Sequence, residues 1–151
     1  MPLFSIIIPL YKKYERYYLE VVSSILNQTC DDYECILIYY DHFFNEIKNE
    51  HVRYVKSTSD DVSVKRNIGI ENAKGSYIVF CDSDDCLSKT TIQTFKSIIQ
   101  KYNNPDYICS LSVRSKKELD EESCNSKVKF INNKELLNDY IFGRYLNDQI
   151  V

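Results

Sequence analysis

The sequence predicts an α/β fold, a mainly parallel sheet with helices packed on both of its faces. Three observations lead there. Short apolar runs of strand length recur along the chain as FSIIIP (4–9), YECILIYY (33–40) and YIVFC (77–81). These runs hardly alternate with polar residues, which marks strands buried on both faces, as parallel strands usually are. Between them lie segments of helical period, and strands that alternate with helices make βαβ units.

Taken in order, Phe4 to Pro9 reads as a strand that the proline stops. Tyr14 to Gln28 follows helical spacing, with Leu19, Val22, Ile25 and Leu26 on one face. Tyr33 to Tyr40 is a second buried strand, and HVRYVKS from His51 is a third that alternates. Ser63 to Ala73 reads as a helix whose apolar positions are Val64, Ile68 and Ile70. Lys74-Gly75 then places a basic residue and a helix-ending glycine at its C-terminus. After YIVFC, Thr90 or Thr91 caps a helix to about Tyr102, with Ile92, Phe95, Ile98 and Ile99 facing the core. Pro105 ends that segment, and DYICSLSV (106–113) is a fifth strand. The charged stretch 114–127 reads as a surface loop and Lys134 to Phe142 as a short helix.

At 151 residues the chain has the length of one domain, 1–151, large enough for a core without disulfides. A net charge of −3 lacks the basic footprint that nucleic acid requires, so no nucleic-acid partner is expected. The six cysteines form no CxxC pair and several lie inside apolar runs, the pattern of reduced thiols in a cytoplasmic protein. No apolar run reaches the roughly 18 residues of a membrane span.

Chemistry concentrates where YIVFC runs into DSDD. Three carboxylates within four residues, Asp82, Asp84 and Asp85 around Ser83, follow directly on a buried strand. Like charges so close repel and call for a cation or water. A strand end with alternate carboxylates suits a hard cation that keeps sites for water and phosphate, so Mg²⁺ or Mn²⁺ is expected at this DxD motif. The competing reading is a solvated turn in which Asp82 or Ser83 caps the next helix. An EF-hand is excluded, because the loop lacks the glycine and the distal glutamate. Pro9, Asp41 and Asp82 all fall at strand ends and should meet on the carboxyl rim, where open parallel sheets bind ligands.

The strings SIIIPLYKKYERYYLEVVSSILNQT, YECILIYYD and VKRNIGIENAKGSYIVFCDSDD stand in the order and spacing of the family 2 glycosyltransferases. The chain resembles that family over roughly residues 3 to 104, more weakly to about 145. The resemblance implies a three-layer α/β/α GT-A (Rossmann-like) fold, truncated in its C-terminal acceptor half. The donor-binding portion would be about 3–113 and the extension 114–151. It further implies a UDP-sugar donor and transfer with inversion to a glycan or lipid-linked acceptor. Pro9 and Tyr11 would border the base, with Tyr11 offering its ring to uracil. Arg66 would approach the base or the diphosphate, and Asn67 would hold the start of the turn or helix. Asp82 would contact the ribose or support the site, Asp84 and Asp82 would hold the metal, and Ser83 and Asp85 would complete the sugar side.

The chain departs from the family pattern in two places. The second strand normally ends in an acidic pair that recognises uracil, and this chain has Tyr39-Tyr40-Asp41-His42 instead. Either a shift brings Asp41 into that role or Tyr39 and Tyr40 stack on the base. A lost hydrogen bond to the base is worth about 1–3 kcal/mol. The chain also ends before the region of the expected general base, and neither Asp139 nor Asp148 matches that base. The alternative function is therefore a truncated or degenerate non-catalytic nucleotide-binding or interaction module. A nucleotidyltransferase would need a glycine-rich phosphate loop that IIIPLYKK lacks. An orphaned donor half would expose apolar surface, which leads to the expectation of a homodimer. Many relatives build surface polysaccharides at the inner face of a membrane, so peripheral membrane association is expected by analogy.

Overall fold

The apolar runs become the centre of a four-stranded parallel sheet in a computed structural model that describes residues 1–41 and 45–108. The chain divides into two compact units, Met1–Ser110 and Leu111–Val151, and every described residue belongs to the first. Strands β1 (Phe4–Pro9), β2 (Tyr33–Tyr39), β3 (Val52–Lys56) and β4 (Tyr77–Phe80) lie in the order β3-β2-β1-β4. All three pairings are parallel, with Ile7 opposite Ile36 on one side and Phe80 on the other. β1 is buried throughout and β2 up to its last residue, which is why both read as largely apolar runs, interrupted only by the buried Ser5 and Glu34. β4 reads the same way but differs. It lies at the outer edge of the described sheet, and Ile78 and Phe80 stay 36% and 47% exposed on one face.

The first helical segment splits in two. Lys12–Tyr17 winds as a 3-10 helix with no buried residue, and α1 (Tyr18–Leu26) buries Tyr18, Val21, Val22 and Ile25. KKYERY has no apolar stripe to bury, so only the following turns pack as an α-helix. Leu19, expected on the core face, is 67% exposed, and Tyr18 takes that place through its hydrogen bond to the Asn45 carbonyl. α1 and α3 (Thr91–Lys101) enclose the larger core, with Phe4, Ile6, Ile8, Leu37, Ile92 and Ile99 among its members. The expected cap of α3 is corrected as well. Thr90 sits at the N-cap without a side-chain cap bond, and Gln28 Oε1, remote in sequence, accepts from the Ile92 N–H at 3.0 Å.

α2 (Val62–Asn72) covers the opposite face over Ile7, Ile36 and Ile38. Of its apolar residues, Ile68 packs partly buried against this cluster, as expected. Ile70 is 47% exposed, while Lys65 and Gly69 are buried. A Cβ on Gly69 would stand 2.4 Å from Ile7 Cγ2, so the glycine is what lets the helix lie this close to β1. Asn67 falls in the middle of α2, exposed, rather than at the start of a turn or helix. Asp61 fills that role, its Oδ1 accepting from Ser63 and Val64 N–H at 2.8 and 3.1 Å. Gly75 is also not the helix end: α2 stops at Asn72 and Ala73 is extended. A Cβ on Gly75 would meet the Phe4 and Ser5 backbone at 2.6 Å, so it serves close approach of the chain before β4.

The amino-terminal rim is closed by one polar network. Glu34 Oε1 accepts from Ser5 Oγ at 2.7 Å and from the Lys74 N–H at 2.6 Å, while Oε2 pairs with Arg53 Nε at 3.0 Å. Burial alone would push the Glu34 carboxyl up, but these donors outweigh it and hold it below the usual carboxylate range. The described cysteines Cys30, Cys35, Cys81 and Cys86 are free thiols. Residues 106–108 make no strand, and the rest of the expected fifth strand, the charged loop and the last helix lie outside the described residues.

Candidate functional site

Chain direction places the crevice. β1, β2 and β3 step to one side, then the chain crosses back to set β4 against the other edge of β1. The carboxyl ends of β1 and β4 therefore flank a topological switch point, where such sheets bind ligands. Pro9, Leu10 and Tyr11 arrive there from β1, and Cys81 and Asp82 from β4.

α2 adds two adjacent cations that behave oppositely. Arg66 Nη2 donates to Asp82 Oδ1 at 2.7 Å, and both side chains stay partly open to solvent. The Arg66 Nε is buried with no hydrogen-bond partner, and its guanidinium carbon lies 5.4 Å from the Phe80 ring centre. Lys65 has no exposed surface. Its Nζ donates to the Leu10 carbonyl at 2.7 Å, pairs with Asp60, and stands 3.7 Å from the Tyr11 ring centre. Three donors meet three partners, so this buried ammonium is satisfied. Burial first, then the Asp60 and Asp61 charges, push the Tyr11 hydroxyl up.

The acidic segment is a tight turn. The Asp85 N–H donates to the Asp82 carbonyl at 3.1 Å, and Ser83 is buried beneath it. The Cys81 thiol, pushed up to about 12 by burial and then by Asp85 and its neighbours, stays protonated near the Asp82 and Asp85 carbonyls. Asp82, Asp84 and Asp85 are left exposed. Burial, then the Asp84 and Asp82 charges, raise the Asp85 carboxyl.

Among the described residues no three His, Cys, Asp or Glu side chains gather as a closed metal cage. Two carboxylates beside an anion-accepting arginine still fit a hard cation that shares its coordination with phosphate and water. With Asp82 Oδ1 engaged by Arg66, Asp84 is the freer ligand.

The structure thus brings Pro9, Tyr11, Arg66, Asp82, Ser83, Asp84 and Asp85 to one rim. Tyr39 is half-buried against the larger core, and Asp41 is exposed just past β2. Sequence reasoning missed Lys65 and Asp60. A lysine inside a helical run reads as a surface residue, and only the packing of α2 on β1 buries it.

Parallel strands, a switch-point crevice and an arginine beside exposed carboxylates define an α/β protein suited to a phosphate-bearing ligand. The chain belongs to glycosyl transferase family 2, whose model matches residues 5–145. It is 36% identical over 116 residues to the poly(ribitol-phosphate) beta-N-acetylglucosaminyltransferase TarP of Staphylococcus aureus, covering 69% of this chain and 35% of TarP. It is 30% identical over 122 residues to the minor teichoic acid biosynthesis protein GgaB of Bacillus subtilis, covering 73% of this chain and 13% of GgaB. Among solved structures, S. aureus TarS 1–349 superposes with a TM-score of 0.56 at 20% identity, covering 68% of this chain and 33% of that one. TarS in complex with UDP-GlcNAc gives 0.53 at 21% identity. Those likenesses establish the GT-A-type α/β fold. The chain spans about a third or less of the length of these relatives. No helix among the described residues is long and apolar enough to cross a membrane.

Proposed function

We propose that this chain is the donor-binding part of a glycosyltransferase that takes a UDP-sugar and passes the sugar, with inversion, to a glycan or lipid-linked acceptor. The observation that carries the reading is the Arg66–Asp82 pair at the β1/β4 switch point, with the exposed Asp84 and Asp85 beside it. Arg66 offers the diphosphate a planar fork of donors from its partly exposed guanidinium. Asp82 orients that guanidinium and would meet the ribose. Tyr11 presents a ring to the base, with Lys65 against that ring. Asp84 and Asp82 would hold Mg²⁺ or Mn²⁺, which when bound offsets charge on the departing diphosphate as a Lewis acid.

Inversion needs a general base on the acceptor hydroxyl. None is assigned among the described residues, and Asp139 and Asp148 lie outside them. Placement at the cytoplasmic face of a membrane, by analogy with polysaccharide-building relatives, and self-association, from the apolar surface an orphaned donor half would expose, belong to the same proposal.

Calorimetry with UDP, with and without Mn²⁺, tests the reading on the wild type and Asp84→Ala. Metal-dependent binding that drops at least tenfold in the variant is expected. Absence of UDP binding by the wild type in either condition would overturn the proposal.

A further inference from the structure

The end of β2, where the family resemblance leads one to expect a carboxylate for the base, carries Tyr39 and Tyr40. A carboxylate does stand beside Tyr11, from another element. Asp60 lies in the loop between β3 and α2, 63% exposed, with one oxygen on Lys65 Nζ. The same ammonium holds the Leu10 carbonyl and lies 3.7 Å from the Tyr11 ring centre, so one buried lysine ties the loop to the end of β1. Asp61 is not equivalent, because its Oδ1 is spent on the first turn of α2. Asp60 has one oxygen fixed and the other uncommitted among the described contacts.

We propose that Asp60 is the residue that reads the nucleobase, presented beside Tyr11 by the buried Lys65 ammonium. The inference rests on the UDP-sugar reading above. With N1 bonded to ribose, uracil has one N–H donor, N3–H, flanked by two carbonyls. An ionised carboxylate only accepts, so its free oxygen matches that donor. Lys65 fixes the carboxylate and offsets its charge, so a second anion is tolerated near the diphosphate.

The geometry gives an unusual test. In Asp60→Asn the amide oxygen must face Lys65, since an ammonium only donates, and the NH₂ then faces the base. That NH₂ opposes uracil N3–H but suits cytosine N3, an acceptor. Binding of UDP, CDP and pyrophosphate, each with Mn²⁺, is measured by calorimetry on the wild type, Asp60→Asn and Asp84→Ala, with a thermal melt of each.

UDP should weaken at least tenfold in Asp60→Asn, and the UDP:CDP affinity ratio should shift by more than tenfold toward CDP. Pyrophosphate affinity should stay within twofold, because Arg66 and the acidic turn are untouched. A merely structural role for Asp60 would lower all ligands together. An unchanged UDP:CDP ratio in a folded Asp60→Asn protein, with UDP binding still metal-dependent and lost in Asp84→Ala, overturns the role of Asp60 and leaves the donor reading standing. Failure of the wild type to bind any of the three overturns both.

Discussion

At the amino-terminal rim of the sheet one carboxylate, Glu34, is met by a hydroxyl, a backbone N–H and a guanidinium. At the carboxyl rim, Asp82 pairs with Arg66 while Asp84 and Asp85 stay exposed beside it, and that arginine keeps a buried Nε without a partner. The residue types are alike, but only the first set is satisfied within the chain. Buried polar groups that find all their partners contribute to stability. Groups left over cost stability and are retained where a ligand completes them. The closed rim is read as structure and the open one as function.

The largest effect that would sharpen this contrast belongs to the closed rim. Glu34→Ala removes the partner of Arg53 Nε and of the Ser5 hydroxyl and the shorter of two acceptors of the Lys74 N–H, leaving Arg53 its bond to the Asn72 carbonyl and Lys74 its longer one to Ser5 Oγ. Breaking such a pair costs about 3 kcal/mol, or roughly 6–12 °C in melting temperature for a domain of this size. A circular-dichroism melt that moves by less than 2 °C would break the comparison. The pH dependence carries the same sign. Glu34 is depressed in the folded state, so its contribution is complete above the ordinary glutamate range and is lost as pH falls through the lowered value. The acid limb of the melting curve should flatten in the variant.

Next comes the open rim. Arg66→Ala removes the pair with Asp82 and the orphaned Nε together. UDP affinity should fall at least tenfold, about 1.4 kcal/mol, while the melting temperature stays within about 2 °C, since partly exposed pairs contribute little. A large loss of stability with binding intact would reverse the assignment.

The smallest effect is electrostatic. Asp85 is raised in the folded state, first by burial and then by Asp84 and Asp82. Its favourable contribution is therefore present below the ordinary aspartate range and lost as pH rises through the raised value. Millimolar Mn²⁺ should raise the melting temperature by a few degrees at pH 7 and leave it unchanged near pH 4. Asp85→Asn should be neutral or slightly stabilising at pH 7 without metal. An equal response to Mn²⁺ at both pH values would show that the carboxylates do not receive it.

Much of the fold was legible because burial on both faces leaves largely apolar runs, as in Phe4–Pro9 and Tyr33–Tyr39, with Ser5 and Glu34 the buried exceptions. The acidic turn was legible for a similar reason: carboxylates directly after an apolar run have no core role. Arg66 was legible only through the resemblance carried by KRN and DSDD. Less was visible wherever a residue's role depends on a distant partner. Gln28 completing α3 is one case, and Gly75 lying against Phe4 and Ser5 is another.

By itself, then, the sequence determined the four described strands, the α/β class and the position of the acidic turn from local pattern, and the family from resemblance. Only the tertiary structure decided that Lys65 is buried and Leu19 is not, and that Asp60 stands beside Tyr11. For Lys65 and Asp60 the physical reason is the close approach of α2 to β1 at Gly69, which turns a polar stretch of helix inward. Hydrophobic periodicity cannot register such a contact, because the contacting residue has no side chain and the residue it buries carries a charge.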